Sequence, residues 1–206
     1  KFKQEIFMTQ ELLPVSIQNF VDTVRSHFFR GIEEETLWPL VAKNLKELLA
    51  EESLIQQSKG WPETKTGDGP PSNLLFYEDP DYGFVLNALV KGPKSVTNIH
   101  DHGPSWTLYG VLDGGEHIKR FRRVDDNPKE AGPAVLESNG EFDVVPGYID
   151  IVPPWEIHQE ANGDHRTIGF IVRSQRSGTF EQYRYNTKNG AIASYNGPNQ
   201  ILYALA

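Results

Sequence analysis

Hydrophobic positions along the chain change their spacing once, near residue 60, and the change divides the molecule. Before it, apolar residues recur every three to five positions. Val15, Phe20, Val21, Val24 and Phe28 form one stripe, and Leu37, Leu40, Val41, Leu45, Leu48 and Leu49 form a second. That spacing puts side chains on one face of an α-helix. Pro39 stands near the start of the second stripe, where a first helical turn accepts proline. The stretch KGWPETKTGDGPPSN, Lys59 to Asn73, is dense in Gly, Pro and Asp and reads as a loop. After it come short runs rich in β-branched and aromatic residues: FVLNALV, SVTNIH, WTLYGVL, EHIKRFRRV, AVLES, FDVVPG, YIDIVP and TIGFIVR. Turn sequences such as LDGGE, DDNPKEAGP and NGDH separate them. Many short strands at this spacing predict an antiparallel sandwich or barrel. The expected organisation is one domain over 1–206: a helical part at 1–60, a β core at 74–190 and a tail at 191–206. The tail reads as irregular chain held through Ile201, Leu202 and Tyr203.

Composition removes several classes of function. The 206 residues carry a formal net charge of −8, so nucleic acid and anionic membrane surfaces are not expected partners. Without cysteine there is no disulfide framework and no thiolate metal site, which fits a cytoplasmic protein. No apolar run reaches the roughly 18 residues that span a bilayer, and no secretory signal is visible. The sequence begins at Lys1, which leaves a removed leader open.

The candidate chemistry lies in NIHDHGPSWTLYG, Asn98 to Gly110, where His100 and His102 are one residue apart. A His-x-His pair alone is a weak signal. On a strand, however, residues i and i+2 share a face, as two cis ligands of one metal require. Two buried imidazoles need hydrogen-bond partners or a metal. His27 reads as a packing or surface residue, and His117 and His165 as solvent-facing. A third candidate, His158, lies in GEFDVVPGYIDIVPPWEIHQEAN. RFRR, Arg120 to Arg123, reads as surface charge, and Glu116, beyond the LDGG turn, as facing solvent.

Gly140, Pro146, His158 and Asn162, together with the earlier His-x-His, resemble the two motifs of the cupins. The resemblance implies an all-β antiparallel jelly-roll barrel with one metal site inside, following the helical N-terminal segment. Cupins usually supply a Glu four residues after the second histidine, and Trp106 stands there instead. The phrase IHDHGPSWTLYGVLDGGE is similar more narrowly to the cysteine dioxygenase-like thiol dioxygenases, from about Leu74 to Gly190. That resemblance implies Fe(II) held by His100, His102 and His158, and addition of O2 to the sulfur of a small substrate. The family's Ser-x-His-x-Tyr strand is replaced by Gly169, Ile171 and Arg173. Its cross-linking cysteine is replaced by Thr107, and the arginine that holds a substrate carboxylate by Leu74. Strand parity puts residues 169, 171 and 173 on one face, which the family points inward, so the resemblance implies Arg173 as the catalytic and substrate-binding cation. Trp106 and Thr107 are the further expected substrate contacts. Two other readings stay open: a three-histidine oxygenase with a non-thiol substrate, and a non-catalytic metal- or ligand-binding cupin. Oligomeric state is not legible in the sequence.

Overall fold

The computed structural model describes residues 13–64 and 71–205. Residues 1–12 of the expected helical part and 65–70 of the expected loop lie outside the described residues. Among the described residues three helices come first: α1 (Val15–Phe29), α2 (Glu34–Leu49) and α3 (Glu52–Ser58). The stripe of α1 is shifted from the expected one. Ile17, Phe20, Val21 and Val24 are buried, whereas Val15, at the very start of the helix, is 77% exposed. In α2, Trp38 takes the buried place expected of Leu40, because 38 falls on the 37/41/45 face and 40 does not. Pro39 lies inside α2, later than its expected first-turn place. It is exposed, so the Glu35 carbonyl whose partner it removes faces water. None of the described helices is long and apolar enough to cross a membrane.

Twelve strands follow among the described residues. They are β1 (Ser72–Glu78), β2 (Val85–Lys91), β3 (Ile99–His100), β4 (Thr107–Asp113), β5 (Glu116–Arg123) and β6 (Leu136–Val144). The rest are β7 (Ile149–Val152), β8 (Ile157–Asn162), β9 (Thr167–Arg173), β10 (Gln182–Tyr185), β11 (Ile192–Tyr195) and β12 (Asn199–Leu202). One sheet runs β12-β1-β2-β9-β4-β7 and the other β11-β10-β3-β8-β5-β6. From β2 to β9 the chain weaves between two antiparallel four-stranded sheets, β2-β9-β4-β7 and β3-β8-β5-β6. That order is the cupin jelly roll the sequence predicts.

The inner strands of the first sheet, β2, β9 and β4, are buried on both faces. Leu86, Ala88 and Val90 of β2, Leu108 and Leu112 of β4, and Ile168, Phe170 and Val172 of β9 join the helices in one core. The alternate residues, Leu89, Thr107, Tyr109, Ile171 and Arg173, line the barrel's interior cavity. Double burial explains why these strands read as nearly continuous apolar runs rather than alternating ones.

The tail corrects an expectation. It forms strands, with β11 antiparallel to β10 and β12 parallel to β1. Ile201 and Leu202 do not anchor it, being 48% and 59% exposed; Tyr203 packs edge-on against Phe76. The tail's pattern lacks a strand period because β12 is mostly exposed on both faces, with its ladder partner, β1, more than a hundred residues away.

Candidate metal centre

The short strand β3 ends at His100, and the chain turns at once. Asp101 is fully buried and holds the turn. Its Oδ1 accepts from the Gly103 N–H (2.9 Å) and the Tyr183 N–H (3.1 Å), and its Oδ2 accepts from the Tyr185 hydroxyl (2.7 Å). Gly103 has φ of +57°, and a Cβ there would lie 2.3 Å from the Glu181 carbonyl oxygen. Glycine is therefore required at this position by both conformation and space. The four residues of His-Asp-His-Gly thus divide the work. Two project imidazoles, one clamps the turn and one lets the chain entering β10 approach. The strand parity that suggested the pair holds only for His100. His102 lies past the strand and is aimed by the Asp101 turn.

His158 arrives from β8, directly across the ladder from His100. The three ring centroids are 4.6, 4.8 and 5.1 Å apart, and one ring nitrogen of each residue lies within 4.8 Å of the others. The Nδ1–H of His100 donates to the Asn98 carbonyl (2.9 Å), which leaves Nε2 with its lone pair. That Nε2 is 3.2 Å from Nε2 of His102. Two cis ligands about 2.1 Å from a common ion would be separated by about 3.0–3.4 Å. The buried Nε2 of His158 makes no hydrogen bond. Burial, reinforced by His100, pushes His158 down to about 3, and burial also lowers His100 and His102. The imidazoles are neutral, the form that binds metal. This donor set fits a metal ion, and the cluster could hold one.

Charged groups that sequence reasoning missed surround the triad. Glu116, expected in solvent, is buried and accepts from Lys91 Nζ (2.7 Å) and from the Tyr109 hydroxyl (2.7 Å). Lys91 also faces Glu160, 3.9 Å away, while the other Glu160 oxygen lies 3.7 Å from His158 Nε2. Burial pushes Glu160 up, but Lys91 and the histidines outweigh it and hold the carboxyl below its usual range. The signal for Glu160 was the period-2 spacing of His158 and Glu160 on one strand face. Arg120, read as surface charge, pairs instead with Asp150 (2.5 Å) and Glu156 (3.2 Å).

Asp150 sits in the cavity wall, where burial pushes it up to about 6 against the opposing pull of Arg120. A carboxyl raised in the folded state binds its proton more tightly folded than unfolded. Its contribution to stability is thus fully present below about pH 4 and lost as pH rises through about 6. Comparing thermal melts of parent and Asp150→Asn from pH 4 to 8 should show the parent losing up to about 3 kcal/mol relative to the variant across that window. A constant difference would refute the assignment.

Arg173 lies on β9 opposite Thr107 of β4; both are buried and line the cavity. Arg173 Nη1 donates to Ser177 Oγ (2.6 Å). Gly169 shares the same face, and a Cβ on it would meet the Tyr109 ring at 2.3 Å, so Tyr109 occupies that space. Trp106 is not among the cavity-lining residues. Its ring packs on the helical core and its Nε1–H donates to Glu34 of α2 (3.2 Å). Leu74 is likewise buried in the helix-side core. Gln182, Arg184 and Tyr195, from the segment read in part as irregular tail, complete the wall. The cavity volume is about 80 Å³, room for several waters or one small molecule.

No protein-family model matches the chain, and no curated protein matches it. Among solved structures it is similar to Peruvianin-I, a cysteine peptidase from Thevetia peruviana latex. That match has 19% identity and a TM-score of 0.35, over 45% of this chain and 51% of that one. It is similar to the Schizosaccharomyces pombe Cnp3 cupin domain at 9% identity and a TM-score of 0.38, over 50% and 64% of the two chains. A Klebsiella pneumoniae protein with a double-stranded β-helix domain matches at 16% identity and a TM-score of 0.39, over 53% and 75%. The chain thus spans about half and about two thirds of the first two structures. The fold rests on the strand order itself, and these likenesses add no evidence of activity.

Proposed function

We propose that this chain is a non-haem iron dioxygenase of the cysteine dioxygenase-like kind, acting on a small organic substrate, with thiols as the first class to test. The observation that carries this reading is the convergence of three neutral imidazoles, His100, His102 and His158, beside a cavity large enough for a small molecule. Imidazole suits iron, copper, zinc and nickel alike. The His-Asp-His-Gly phrase and the residues that follow it favour iron. Bound iron would supply positions where substrate and O2 meet and would activate O2. The chain's own residues do the rest. Arg173 presents a fixed cation that holds an anionic substrate group, Thr107 stands beside it, and the wall of Leu89, Val152 and Ile171 limits access of water.

A non-thiol substrate is the second reading. It is favoured by Gly169 and Ile171 where the family has serine and histidine, and by Leu74, which is sealed in the helix-side core. Anaerobic loading with iron, metal analysis and O2 uptake with cysteine, 3-mercaptopropionate, cysteamine and 2,4-pentanedione separate the readings. We expect about one iron per chain and O2 uptake with at least one thiol acid. Arg173→Leu should keep its iron and lose at least about 30-fold in kcat/KM toward acids, the scale of one charge-assisted hydrogen-bonded pair. Bound zinc with no O2 uptake would leave a binding protein instead.

A further inference from the structure

The cavity wall includes buried polar groups that the protein leaves unmatched. Arg173 Nε, Thr107 Oγ1, Asn73 Nδ2 and both amide atoms of Gln182 are sealed from solvent and make no hydrogen bond. All four residues line the same cavity, and none is more than 5% exposed. They come from four strands, β9, β4, β1 and β10, so no single local feature places them together. An unpaired buried polar atom destabilises the fold, and natural folds hold few. Five of them around one cavity are explained by a ligand that pairs with them. Arg173 calls for an anion. Gln182 offers a free donor and a free acceptor side by side, the pattern a carboxamide answers atom for atom. A plain alkyl acid would satisfy Arg173 and leave the amide stranded.

We infer that the substrate is a small carboxylic acid bearing a neutral amide, with the carboxylate at Arg173, beside Thr107, and the amide at Gln182. The inference deepens the dioxygenase reading and rests on it for the word substrate, but the binding chemistry is tested separately.

Three probes of nearly equal size grade the polar end: succinamate, levulinate, which keeps only the acceptor, and pentanoate, which keeps neither. Calorimetric titration into the iron-loaded chain under nitrogen should rank them in that order, with succinamate about 100-fold tighter than pentanoate. Gln182→Leu should collapse the ranking, keep its iron, and melt without ligand at or above the parent temperature, because an unpaired amide has been removed. Pentanoate binding as tightly as succinamate to the parent would overturn the inference, whatever the variant does. So would a Gln182→Leu variant that keeps the ranking. Iron content and O2 uptake, read on the same samples, report on the dioxygenase reading independently.

Discussion

Replacing His158 with alanine should lower bound metal from about one per chain to under a tenth and abolish O2 uptake, while the fold survives. His100 and His102 issue from one turn, and His158 is the candidate ligand that would tie that turn to β8. Loss of a group that merely orients a ligand costs 10–100-fold in metal affinity, so loss of a ligand should cost more than about 100-fold. The metal-free fold has little to lose. The His158 ring carries a buried nitrogen without a hydrogen bond, and its removal offsets part of the cavity created. The clearest readout is therefore metal-linked stabilisation. With metal at about 1,000 times its dissociation constant the parent should gain about 4 kcal/mol, and the variant almost none. Equal gains in both proteins would mean that the metal binds elsewhere.

Lys91→Met should destabilise the barrel by about 3–5 kcal/mol at neutral pH, the cost of breaking a buried ion pair from one side. Lys91 is fully buried at the end of β2 and is the cation between Glu116 and Glu160. Without it two buried carboxyls are left without their cation, with only the Tyr109 hydroxyl still donating to Glu116. For a chain of this size the loss corresponds to a melting shift of roughly 10 °C. The deficit should shrink toward pH 4, because burial already raises Glu116 and a protonated carboxyl needs no cation. Adding Glu116→Gln to Lys91→Met should recover much of the loss at pH 7. A single variant that melts like the parent at every pH would show that the pair contributes no net stability.

The positions of the imidazoles were legible, and their surroundings much less so. His-x-His, and a third histidine within a spaced Gly-Pro-His-Asn pattern, are local signals that survive without knowledge of the fold. Arg173 was reachable through strand parity, and its side chain does line the cavity beside Thr107. Trp106, placed by the same motif, packs instead against α2, because it precedes β4 and its side chain turns toward the helices. Glu116 and Lys91 could not be paired from sequence. They lie on strands of different sheets, and a charged residue at a strand end ordinarily faces water. The same holds for Gln182 and Tyr195, whose place in the wall depends on β10 adding to the edge of β3.

By itself, the order of residues determined the helical start and the short-strand remainder. Each of these is a matter of period or spacing within a few residues, which the backbone's own geometry translates directly into direction. Only the tertiary structure decided which charges are buried, what they pair with, and which polar atoms face the cavity without a partner. Those outcomes depend on strands distant in sequence meeting in one register, and a shift of one residue would send every one of those side chains to the other face.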